Sequence, residues 1–261
     1  MVVMDPFLDP VPAEVPLPNA PLVRVIAQVR FPLVAAIEQR DFIAPFQETI
    51  RSDYPILRQS QTHQLLLVAN VAPSVSTAWR FASEDGDWRV SLTSDFMSLE
   101  TTKYRSRTDF LDRLEKVVRA LAAKVEPKLT DRLGIRYIDR ISGDALAEIS
   151  KLVRAEVRGL SSSPVEGSVS HSITETLFSR DSTNVLARWG RLPAHATVDP
   201  GAIEPADVPS WILDLDMFST TPASFSIERV LSDARQYMER LYTFFRWVVT
   251  PEFLRHFGGR P

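Results

Sequence analysis

Hydrophobic residues recur along this chain at two periods, and each change of period marks a new element. In "VRVIAQVRF" (23–31), Val23, Val25, Ala27, Val29 and Phe31 alternate with Arg24, Gln28 and Arg30, the period-two signature of a half-buried strand. The period then lengthens. Phe42, Phe46, Ile50 and Tyr54 fall at helical spacing and predict a helix over 41–52, with Pro45 tolerable near its start and Tyr54-Pro55 ending it. Strand-like runs return at 63–71, 77–93 and 96–102, the middle one a hairpin turning at Glu84–Asp87 around Gly86. The clearest helix begins at Ser106, which with Asp109 makes a capping box. Phe110, Leu111, Leu114, Val117, Val118, Leu121 and Val125 form its apolar stripe, and Pro127 follows its end.

The second half opens on "RLGIRYIDRI" (132–141) and continues with a short helix over Asp144–Val157 and strand-like runs at 168–178 and 185–190. A loop over Leu192–Pro209 leads to the strand "WILDLDMF" (211–218). A long helix over 227–249 buries Ala234, Met238, Leu241, Phe245 and Val248. A last short helix is capped by Thr250, starts at Pro251 and stops before Gly258. The order of elements therefore repeats without repeating residues. The expected fold is α+β: a largely antiparallel curved sheet with helices on one face, in two β-α-β(3-4)-α halves at 22–128 and 129–261 that form one compact unit. Such halves resemble those of the TATA-box-binding-protein type of fold; a closed or strongly curved sheet with helices packed on it is the equal alternative. The proline-rich residues 1–21 are expected to be an extended, weakly ordered lead-in.

The spacing of Arg132, Arg136 and Arg140 fits one helical face, but Gly134 and the scatter of apolar residues around a helix argue against it. On a strand, Leu133, Ile135, Tyr137 and Ile141 share one face, with Asp139 the single blemish. The arginines then share the other face, about 13 Å apart. Alternation adds Arg24, Arg30, Arg80, Arg89 and Arg188 to outward positions, with Asp214 and Asp216 opposite the inward Trp211, Leu213, Leu215 and Met217. Three readings of this polar surface stay open: a solvated face with cross-strand ion pairs, an anion- or protein-binding surface, or a catalytic site. Gly134, with no side chain between Arg132 and Arg136, leaves room for a close contact whose partner stays open.

Composition narrows the chemistry. The 261 residues include no cysteine, which excludes disulfides, thiolate metal sites, iron–sulfur ligation and a cysteine nucleophile. Lys and Arg number 30 against 33 Asp and Glu, so only a local patch would draw nucleic acid. No apolar run spans a bilayer and the N-terminus lacks signal-peptide character, which predicts a cytoplasmic protein without a membrane role. His63, His171, His195 and His256 show no metal-ligand spacing, His171 and Glu175 being too far apart on a strand to share one ion directly. Asp214 and Asp216 are a weak candidate pair for magnesium with a phosphate substrate. No nucleophile elbow, phosphate-binding loop or dinucleotide fingerprint is present, and no cofactor is expected. Trp79, Trp88, Trp189, Trp211 and Trp247 sit in apolar patterns and read as core.

Tyr54-Pro55 after the first helix, Arg132, Gly134, Arg136 and Tyr137 in the mid-chain strand, and Asp214 and Asp216 in the late strand occur together with "PLVRVIAQVRF" and "FFRWVVTPEFLRHFG". In this combination the chain resembles a sporadically distributed family of uncharacterised bacterial proteins of similar length. The resemblance implies no activity; its patchy distribution is like that of genes in phage-defence or toxin–antitoxin clusters. The first expectation is a non-enzymatic protein that binds a protein partner or a second copy of itself in such a system. The alternatives are nucleic-acid or nucleotide binding through the arginine face, and a metal-dependent phosphate enzyme built on Asp214 and Asp216.

Overall fold

The computed structural model describes residues 5–64, 74–160 and 163–260. The fold is α+β. Its elements are β1 (Leu22–Arg30), α1 (Arg40–Ile50), β2 (Ile56–Gln64), β3 (Ser74–Ala82), β4 (Trp88–Leu92), β5 (Phe96–Thr101), α2 (Arg107–Lys124), β6 (Leu129–Thr130), β7 (Arg132–Ser142) and α3 (Asp144–Ala147). There follow α4 (Ile149–Leu152), α5 (Ala155–Arg158), β8 (Ser172–Arg180), β9 (Thr183–Leu192), β10 (Ser210–Ser219), β11 (Ala223–Ser224), α6 (Ile227–Val248) and α7 (Pro251–His256). Nine strands form a large antiparallel sheet in the order β2-β3-β4-β5-β1-β7-β10-β9-β8; β6 pairs with β11 separately. Among the described residues no helix is long and apolar enough to cross a membrane.

Contacts group the chain into two compact units, neither contiguous in sequence. One comprises Met1–Val25, Arg136–Met217 and Gln236–Pro261; the other comprises Ile26–Ile135 and Phe218–Arg235.

In the Ile26–Ile135 unit, β2, β3, β4 and β5 are successive antiparallel neighbours. Their register sets Trp79 opposite Leu92 and Phe81 opposite Val90. Trp79, Phe81, Trp88, Val90 and Leu92 are all buried, as the alternation predicts. Gly86 supplies the positive φ of the turn between β3 and β4, at 75°. The apolar side of the strands takes the helices: the Phe46 and Phe81 rings lie 5.6 Å apart, those of Trp88 and Phe110 5.7 Å apart. Trp79 donates its indole N–H to the Ile37 carbonyl at 2.7 Å, which satisfies a buried polar group. Ser106 accepts from the Asp109 N–H at 3.1 Å, one half of the expected capping box, while the Asp109 carboxylate turns to Arg113 instead. Phe46 and Ile50 of α1, and Tyr54 beyond it, are buried as expected, while at its start Ile43 is buried and Phe42 only half-buried. Of the expected strand 63–71, His63 and Gln64 end β2; residues 65–71 lie outside the described residues.

In the other unit, β8, β9 and β10 match the expected late strands, and Trp211, Leu213, Leu215 and Met217 are buried. His171 stands just before β8 and not within it, so it shares no strand face with Glu175. The helix expected over 144–157 is broken into α3, α4 and α5. At the second break Val153 leaves the helix to form a bridge with Val249, and Arg154 N–H donates to the Val248 carbonyl at 2.9 Å. On α6, Ala234, Met238, Leu241 and Val248 are buried as expected, Phe244 is buried beside them and Phe245 is half-buried. Thr250 caps α7 by accepting from the Phe253 N–H.

The described part of the proline-rich segment, residues 5–21, runs largely without regular structure and is tied to α6. Prolines have no N–H to give, so such a segment chiefly offers carbonyls. Arginines and a tyrosine on α6 supply the donors: Arg240 reaches the carbonyls of Pro6 and Asp9, and Arg246 reaches that of Ala13. Tyr242 Oη accepts from the Val15 N–H at 2.9 Å. Phe7 packs 5.2 Å from Phe178 and 5.7 Å from Phe244, ring centre to centre, and Leu17 and Val15 close against Gly259.

Candidate functional site

The arginines on the outward strand positions are treated in two quite different ways. On β7, Arg136 is 13% exposed and Asp214, on β10, 1%. Arg136 donates from Nε and Nη2 to the two Asp214 oxygens, both at 2.7 Å, a bidentate fork. Its Nη1 donates to Asp199 at 2.7 Å. Arg188, on β9, adds a longer bond to Asp214 at 3.4 Å and a short one to Glu175 at 2.6 Å. Burial alone would lower the Arg136 pKa, but the hydrogen bonds and charges of Asp214 and Asp199 outweigh it, and the pKa is raised. Burial pulls Asp199 upward; the hydrogen bond and charge of Arg136 prevail and hold it below the ordinary carboxylate value.

Two guanidinium groups thus meet three carboxylates. The cluster carries a formal excess of negative charge, so it repels an incoming phosphate. Both Asp214 oxygens are already taken by cations, which disfavours a divalent metal there. Among the described residues no group of three or more His, Asp or Glu is placed to hold a metal ion. Asp216 is half-buried on the same strand.

The loop between β9 and β10 closes over this stretch of β7. Asp199 reaches Arg136, and the Glu204 carbonyl accepts from Arg140 Nη2 at 2.6 Å. Ala202 and Ile203 on the loop are buried, as are Ile138 and Ile212 on the strands. The loop is internally braced: Thr197 Oγ1 donates to the Ile203 carbonyl at 2.7 Å and His195 N–H donates to Ala206 at 2.7 Å. Arg140 keeps its Nε buried with no partner among the described residues, and burial lowers its pKa.

Asp139 answers the blemish in the alternation. It does lie at a core position, 6% exposed, and burial pushes its carboxyl up to about 7. Arg24 is half-buried on β1.

In the Ile26–Ile135 unit the outward arginines find local partners. Arg30 pairs with Asp95 at 2.5 Å, and Asp95 also accepts from Thr93 at 2.9 Å. Arg89 pairs across the strands with Glu100, which is 7% exposed. Arg132 folds back over Gly134: a Cβ there would lie 2.6 Å from Arg132 Nη1. The guanidinium is 4.3 Å from the Phe218 ring centre and donates to Gln28 at 3.2 Å. The close contact that Gly134 permits is therefore with Arg132 itself.

Arg80 differs. It is exposed, and among the described residues it has no ion-pair partner. Directly opposite on β2 stands a second exposed arginine, Arg58, which the outward alternation does not single out because its run, "ILRQSQTHQ", has no clear apolar period. Asp199 has no sequence signal either, since it lies in an aperiodic loop.

Comparison with family models and with curated proteins returns no match.

Proposed function

We propose that this is a cytoplasmic, non-enzymatic binding protein that engages a protein partner by strand addition at β8. One observation carries the reading: β8 ends the nine-strand order, so one of its edges has no neighbouring strand in the sheet. Strands at sheet edges are usually blunted by lysine, proline or a bulge, because unpaired N–H and C=O groups invite another strand. The nine residues "SITETLFSR" contain neither lysine nor proline, and no β8 residue is buried. Leu177 is 55% exposed on the same face as Ile173 and Glu175. An extended segment with alternating apolar residues fits this edge, its backbone supplying affinity and its side chains meeting Ile173 and Leu177.

The patchy distribution of the family that the sequence resembles is like that of genes in defence or toxin–antitoxin clusters, and on that likeness the partner to look for is the product of a neighbouring gene. The test is expression of the chain with its flanking genes, purification, and hydrogen exchange at β8. A retained partner that protects β8 amides, and is released by Leu177→Lys, supports the proposal. A partnerless monomer with unprotected β8 amides overturns it.

A further inference from the structure

We propose that the outward row Arg58, Arg80, Ser91 and Ser98 is a binding site for a phosphate-type oxyanion. The register builds this row. Arg58 stands opposite Arg80, Arg80 opposite Ser91, and Ser91 opposite Ser98, across β2, β3, β4 and β5. Residues directly opposed across antiparallel strands point to the same side, with neighbouring strands about 4.8 Å apart. Two guanidinium groups and two hydroxyl groups therefore line one transverse band roughly 14 Å long.

Two features set the band apart. First, its charge is uncompensated. Arg30 on β1 is matched by Asp95 in the β4–β5 turn, and Arg89 on β4 by Glu100 on β5, while Arg58 and Arg80 face each other with no ion-pair partner among the described residues. Directly opposed like charges destabilise a strand pair, and an anion bridging them reverses the sign. Second, its floor is low. Ala78 and Ala82 flank Arg80 on β3, Ser60 stands opposite Ala78, and Ser91 and Ser98 are 8% and 7% exposed. The anion is therefore held at the exposed arginine end, between the two forks, with the hydroxyl groups deeper in the band as further donors. None of the named band or floor residues is aromatic, so recognition stops at the phosphate and does not extend to a base. The band lies in the Ile26–Ile135 unit and β8 does not, so this site stands or falls separately from strand addition.

The experiment is calorimetric titration of the full chain with inorganic phosphate, against sodium chloride at equal ionic strength, and with a short oligothymidylate. Saturable phosphate binding beyond the chloride control is expected. Arg58→Ala or Arg80→Ala should weaken it about tenfold, the loss of one charge-assisted interaction. Arg58→Lys and Arg80→Lys, which keep charge but lose the fork, should fall between and serve if the alanine variants do not fold. If the oligonucleotide binds more tightly than phosphate, and its salt slope drops by about one per arginine removed, the oxyanion belongs to a nucleic-acid backbone. If it binds no more tightly, the site takes free phosphate or a phosphate monoester. Phosphate binding no stronger than chloride, arginine variants that bind like the wild type, or capture of a polyglutamate peptide without phosphate binding would each overturn the assignment.

Discussion

Replacing Asp214 by alanine should cost stability out of proportion to the atoms removed. The carboxylate is 1% exposed and holds Arg136, itself 13% exposed, through two bonds of 2.7 Å. Removing one partner of a buried pair costs about 3–5 kcal/mol, because the remaining charge stays out of water without compensation. Asp199 still reaches Arg136 at 2.7 Å and is 37% exposed, so the low end, about 3 kcal/mol, is expected. Arg136→Met should cost a similar amount, since Asp214 then keeps only Arg188 at 3.4 Å. Asp214→Leu should cost as much as Asp214→Ala, and combining Asp214→Leu with Arg136→Met removes the two charges together and should lie within about 1 kcal/mol of wild type. The coupling in this double-mutant cycle is then on the order of 5 kcal/mol, far above the roughly 1 kcal/mol of an exposed pair. For a chain of this size, about 3 kcal/mol lowers Tm by roughly 6–12 °C. Urea unfolding supplies the free energies, and hydrogen exchange at β7 and β10 amides localises the loss. Single variants costing under about 1 kcal/mol, or a double variant costing the sum of the singles, would refute a buried, mutually dependent network.

Asp139, with its carboxyl pushed up to about 7 against an unfolded value near 3.9, contributes stability that is complete below the unfolded value and gone once the pH has risen past about 7. Asp139→Asn should therefore flatten the pH profile of unfolding between about pH 4 and 7 and stabilise the chain above pH 7 relative to wild type, by up to roughly 4 kcal/mol at about 1.4 per pH unit; a variant with the wild-type profile would contradict this. Gly134→Ala should displace Arg132 from Phe218 and Gln28 and cost about 1 kcal/mol in thermal denaturation, a cost that vanishes in an Arg132→Ala background if the contact is its cause. At Gly190, φ is 142° and a Cβ would fall 1.9 Å from the Ser172 carbonyl oxygen, so Gly190→Ala should cost about 3 kcal/mol or more and open the β8–β9 ladder to hydrogen exchange, whereas a near-neutral variant would show that this pairing yields easily.

The sequence revealed directions more readily than surroundings. Alternation placed the hairpin core of Trp79, Phe81, Trp88 and Val90 correctly, because a one-residue slip would turn every apolar side chain to water. Helical phase was also legible, but not the margin of each stripe: Phe42 against Ile43, and Phe244 against Phe245, differ by one step around a helix, and the neighbouring elements decide which is buried. The break at Val153 is likewise tertiary, since its bridge is to Val249, almost a hundred residues on. The arginine face shows the same division. Period two states that Arg136 points outward, but not that Asp199, in a loop with no period at all, comes back to meet it. Asp214, on an adjacent strand, was visible as a residue of the right type, whereas Glu100, in the run 96–102, carried no mark that set it apart. Arg58 was not, because β2 is almost wholly polar and reads as a strand only once its register with β3 is known. β2 loses its sequence signal for a physical reason: at the sheet edge it has little to bury and needs no apolar alternation, whereas β8, the other edge, keeps Ile173, Leu177 and Phe178 and reads as a strand. Both proposals made here, at β8 and at the Arg58–Arg80 band, involve the outermost strands. That is the expected place for function to hide from pattern, since residues released from packing the core are free to be chosen for contact with something else.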